Sequence, residues 1–98
     1  YLQEIDSQVK NLLSYYETIT IDNMYTTTLL DKIDVTLDDL QIAYGSILPK
    51  DLSTQIRKLR THIKQKCYTN LKDQNAKREC AKQLHTIASK LAKEKKVI

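Results

Sequence analysis

Residues 51–70 read DLSTQIRKLRTHIKQKCYTN, and their apolar positions are Leu52, Ile56, Leu59, Ile63 and Cys67. The steps between them are four, three, four and four, so all five share one stripe of a helix. Arg57, Lys58, Arg60, Lys64 and Lys66 are left to the other faces. A strand would alternate its apolar residues at every second position, and this stretch does not. Asp51 or Ser53 can open the helix, and Pro49 stops any earlier helix from running into it.

The same period recurs on both sides. Downstream, Asp73, Gln74 and Asn75 mark a turn, and Ala76, Cys80, Leu84, Ile87 and Leu91 form the stripe of a further helix that ends in the Lys93–Lys96 charge run. Upstream, Leu30, Ile33, Leu37, Leu40 and Tyr44 make a second helix, capped by Asp22 or Asn23 and ended by Gly45 in a left-handed turn. Leu2, Ile5, Val9, Leu12 and Tyr16 make the first, with Glu4 and Asp6 at the positive end of its dipole. The β-branched run Thr18-Ile19-Thr20-Ile21 reads locally as extended and serves as the link between them. Ser46-Ile47-Leu48 is an apolar connector placed to cover one end of the core.

Helices over about 1–18, 23–44, 51–70 and 74–95 with short links predict an all-α fold, an antiparallel up-down four-helix bundle. The 98 residues fit a single domain. One glycine, one proline, no phenylalanine and no tryptophan exclude a turn-rich β architecture. No apolar run approaches the ~18–20 residues a membrane span needs, and no signal peptide is visible. A domain of this size buries only roughly 60–65% of its unfolded surface, so a covalent staple would help it.

Cys67 and Cys80 stand at matched depth about the turn near Asp73, on the facing stripes of a helical hairpin. That placement favours a disulfide over two free thiols packed as small apolar residues. A bridge closing so short a loop stabilises by about 3 kcal/mol in the chain-entropy model. It also implies an oxidising compartment and a secreted protein. Zinc is disfavoured, because the two cysteines with His62 and His85 lack close ligand pairs, and the Cys-x-x-Cys redox spacing is absent.

Charge is divided along the chain. Residues 1–49 carry two cations against eight acids, a net of −6, while residues 50–98 carry fourteen cations against four acids, a net of +10. Such asymmetry has two readings, internal pairing across the bundle and an exposed basic binding surface. Asp31, Asp34 and Asp38 share one helix face, suited to pairing with Arg57, Arg60 and Lys64 rather than to binding a metal. Arg57, Arg60, Lys64, Lys72, Lys77, Arg78 and Lys82 form the candidate basic surface. Tyrosines suit protein contact, and Tyr15, off the core stripe of its helix, is expected at the surface.

No catalytic constellation is found. Neither His62 nor His85 has a nucleophile at a telling spacing, and a single glycine cannot make a phosphate loop, so neither an enzyme nor a cofactor is expected. Sequence-specific nucleic-acid binding is disfavoured by the excess of lysine over arginine and by the lone aromatic, Tyr68, in the basic half. A carrier holding a small apolar ligand would use the same Leu, Ile and Tyr stripes as any packed core.

The lysine-rich half, the stretch from Lys66-Cys67 to Glu79-Cys80, and the scarcity of Trp, Phe and Gly resemble the small all-helical, disulfide-containing salivary proteins of blood-feeding insects. The likeness covers residues 50–98 and is compositional, so it assigns no functional residue. It implies a secreted, non-enzymatic inhibitor of host complement or haemostasis that binds an extracellular, acidic protein. A polyanion-binding module for sulfated glycan or nucleic acid is the alternative.

Overall fold

The computed structural model describes residues 2–97, with side chains from residue 4 to residue 94. The side chains of Leu2, of the first stripe, and of residues 95 and 96, of the Lys93–Lys96 run, lie outside the described residues. Four helices and no strand occur among these residues: α1 (Leu2–Thr20), α2 (Thr27–Tyr44), α3 (Lys50–His62, continued by a π-helical turn over Ile63–Cys67) and α4 (Gln74–Val97). The Cα radius of gyration is 12.8 Å. Side-chain contacts fix the directions. Tyr44 donates to Glu4 and Tyr15 meets Thr36, so α1 and α2 run antiparallel. Tyr68 reaches Asp31 while Arg60 reaches Asp34 and Asp38, and Lys90 reaches Asp51 while His62 reaches Ala76. Each successive pair is therefore antiparallel. α4 returns against α1, so α1 and α3 sit on one diagonal and α2 and α4 on the other.

The stripes meet in one core. Ile5, Leu12, Leu30, Ile33, Leu37, Leu40, Ile56, Leu59, Ile63, Leu84, Ile87 and Leu91 have no exposed surface. At roughly 25 cal/mol per Å² of apolar surface removed from water, this burial is the main favourable term in folding.

Several ends differ from the sequence reading, each for a local reason. α1 does not stop at residue 18 but runs through Thr20, because Ile19 continues the stripe three residues beyond Tyr16 and is fully buried. The hydroxyls of Thr18 and Thr20 donate to the carbonyls of Ser14 and Tyr16, which holds β-branched residues in the last turn. Asn23, at φ 55°, reverses the chain instead of capping α2. The cap is Thr26, whose side chain accepts the Leu29 amide hydrogen at 3.2 Å. Gly45 is right-handed rather than left-handed, at φ −57° and ψ −32°. Its lack of a side chain matters for another reason, since a Cβ there would lie 2.4 Å from the Gln41 carbonyl oxygen. Of the connector that follows, Leu48 covers the core and Ile47 stays half exposed.

α3 opens at Pro49–Lys50 with no side-chain cap, and Asp51 sits in its first turn. The Tyr68 amide donates to the Ile63 carbonyl across the wider π-helical ring, which keeps both Ile63 and Cys67 on the buried side. α4 begins where the Asp73 carboxylate accepts the amide hydrogens of Asn75 and Ala76.

Candidate functional site

Cys67 and Cys80 meet at the depth expected from the hairpin, but no disulfide joins them. Both are fully buried free thiols, close enough for each to shift the titration of the other. The expected bridge is thus replaced by a dithiol in register for one. The neighbouring Cys80 lowers the pKa of Cys67 against the opposing effect of burial, and Cys67 together with burial raises that of Cys80. The pair accordingly releases one proton far more readily than the second. Tyr25, from the link between α1 and α2, buries its hydroxyl beside Cys67 without a hydrogen bond of ordinary geometry. Burial first, and then Cys67, pushes its titration upward.

Six of the seven candidate basic residues fall into two groups on opposite seams, and Lys72 belongs to neither. Arg60 is half-buried between α2 and α3, with its Nε 2.9 Å from Asp34 and its Nη1 3.0 Å from Asp38 and 2.6 Å from Gln41. Its guanidinium is raised above its usual pKa, first by the hydrogen bond to Asp34. Arg57 and Lys64 lie within about 60° of Arg60 around α3, so they rim this same acid-lined seam. Asp34 and Asp38 pair with Arg60, as the helix spacing suggested, and Arg60 is drawn out of the binding surface.

Lys77, Arg78 and Lys82 belong to the other seam. A groove of about 480 Å³ runs between the C-terminal half of α1 and α4, lined by these three with Tyr16, Ile19, Thr20, Gln74, Ala81, His85 and Thr86. Its floor is apolar and aromatic. The Tyr16 and His85 rings stand 5.0 Å apart at 50°, and Ile19 and Ala81 are buried beneath. Its rim is cationic, and no aspartate or glutamate lines it. Lys77 reaches across to the Asn23 side chain, which ties the link after α1 to α4. Lys82 stands on the crest of α4 and also borders the shallower α3–α4 groove, where Lys58 and Glu79 oppose each other's charge. Lys72 is exposed on the turn before α4.

Other expectations resolve as follows. Tyr15 is half-buried against the core with its hydroxyl 3.3 Å from Thr36, not displayed at the surface. His62 Nε2 lies 3.1 Å from the Ala76 carbonyl, which can only accept, so the proton sits on Nε2 and the ring braces α3 against the first turn of α4. The groove floor escaped the sequence reading. Tyr16 belongs to the core stripe and His85 is exposed beside the core residue Leu84, and the two rings pack together at the mouth. The signal was their position: Tyr16 ends a stripe with a polar tip, and His85 follows the core residue Leu84.

Among the described residues no cluster of His, Cys, Asp and Glu is placed to hold a metal, and no helix is long and apolar enough to cross a membrane. Comparison with family models, curated proteins and solved structures returns no match.

Proposed function

We propose that this chain is a secreted, non-enzymatic binding protein that inhibits a host complement or haemostatic factor by presenting the cationic face of α4 to an acidic protein. The observation that carries the reading is the acid-free groove. Arg78, Lys82 and Lys77 have no carboxylate partner among the described residues, whereas Arg60 has two. Cations left unmatched in a concave, partly apolar site attract and orient an anionic partner. In an oxidising compartment, the Cys67 and Cys80 thiols would pass two electrons and two protons to an exchanging disulfide and form the staple that a small domain benefits from.

The test is inhibition of complement-mediated lysis and of contact-activated clotting by the purified protein, with intact mass measured before and after alkylation. Dose-dependent, salt-sensitive inhibition by a protein two hydrogens light and refractory to alkylation is expected. No inhibition in either assay overturns the inhibitor reading, and two freely alkylated thiols in protein recovered from a secreting host overturn the extracellular one.

The polyanion-binding alternative is favoured by one observation, the net charge of +10 carried by residues 50–98. It predicts retention on heparin or DNA well above that of an unrelated protein of equal net charge, with steep salt dependence.

A further inference from the structure

We propose that the α1–α4 groove is a slot for an acidic polypeptide segment, seating one apolar side chain on Tyr16, Ile19 and Ala81 while Arg78 and Lys82 hold flanking carboxylates. This rests on the reading above and names the chemistry of the partner. The groove combines two features that call for different parts of one ligand. Its floor is an aromatic pair tilted at 50° over buried Ile19 and Ala81, a surface that gains from an apolar side chain and offers little to a sugar ring bearing sulfates. Its rim carries the cations Lys77, Arg78 and Lys82 with no acid among them, so an anion entering meets attraction alone.

A sulfated glycan would be served best by a flat array of ammonium groups, without apolar side chains between them. The neighbouring groove, where Glu79 faces Lys58 and Lys82, lacks the charge purity for either ligand. Along the edges, the Thr20 and Thr86 hydroxyls, whose protons go to the Tyr16 and Lys82 carbonyls, can accept from the amides of an extended peptide, and the Gln74 side chain can donate or accept. A volume of about 480 Å³ accommodates one large side chain with its neighbours, not a folded element.

The experiment is fluorescence anisotropy of a short labelled peptide, rich in Asp and Glu around one central Phe, titrated with the full chain. Two protein variants of identical charge change are compared, Arg78→Glu/Lys82→Glu in the groove and Arg57→Glu/Lys64→Glu on the opposite seam, each first checked by circular dichroism for native helicity. Binding is expected to weaken roughly tenfold or more for the groove variant and to change no more than about twofold for the other. Replacing the central Phe of the peptide by Ala, which leaves the protein untouched, is expected to cost about tenfold as well. Equal losses for both protein variants, or no loss on removing the Phe, overturn the slot, since attraction would then be to net charge. A heparin oligosaccharide that binds more tightly than the peptide and is weakened by the groove variant assigns the site to glycan and also overturns it. Failure of the peptide alongside intact inhibition in the plasma assays rejects the slot while leaving the inhibitor reading in place.

Discussion

Arg60 and Lys82 have the same formal charge and opposite surroundings. Arg60 reaches Asp34 and Asp38 from a half-buried position, so it joins two helices; Lys82 stands on an exposed crest and makes no ion pair among the described residues. Arg60→Ala leaves two carboxylates one turn apart on α2 without their cation and is expected to cost about 1–2 kcal/mol, the exposure of Asp38 keeping the figure low. Lys82→Ala is expected to stay within about 0.5 kcal/mol of wild type; urea denaturation checks both. Tyr68 gives a pH signature. Burial, and then its hydrogen bond to Asp31, pushes its pKa up to about 12 from the ordinary value near 10. A raised pKa means that the folded state holds the proton more tightly. Its contribution is complete below about pH 10 and is lost as pH rises toward 12. Urea midpoints measured across that interval should fall, and Tyr68→Phe should make the fall shallower. At this scale the sequence was half legible. The spacing of Asp34 and Asp38 foretold a partner on α3, but which cation would be internal depended on the roll of that helix, and Tyr15 turned inward to Thr36.

Helix ends depend on contacts far along the chain, and for that reason the stripes were readable while the termini were not. The β-branched run near residue 19 reads as extended in isolation, yet the core takes Ile19 and the helix continues under it. Ile19→Val should cost about 1 kcal/mol, whereas Ile21→Val, one turn residue beyond and 75% exposed, should be neutral. Thermal melts of the two variants separate a helix that ends at residue 18 from one that includes residue 19. Gly45 illustrates the converse, a correct stop signal acting through another mechanism. Gly45→Ala sets a methyl against the Gln41 carbonyl and is expected to destabilise by about 1 kcal/mol or more, although the backbone there is one that alanine normally favours. Cys67 and Cys80 were placed correctly by counting from the turn, while the state of their sulfurs was not encoded in spacing.

For the molecule as a whole, the division between an acidic first half and a basic second half resolves into geography. Part of the excess pairs along the α2–α3 seam, and part is left facing the α1–α4 groove, on the far side of the bundle. Total charge predicts that any two cations are equivalent for binding an acidic partner. The architecture predicts that they are not, because one seam already contains carboxylates. A net charge of +4 changes equally in the two double reversals, so nonspecific attraction is held constant between them. The direct measurement is therefore the inhibition of complement lysis and contact-activated clotting by the Arg78→Glu/Lys82→Glu and Arg57→Glu/Lys64→Glu proteins, side by side with wild type. Loss of inhibition confined to the groove variant is the predicted result; equal loss in both, or none in either, would contradict the assignment of function to the α4 face.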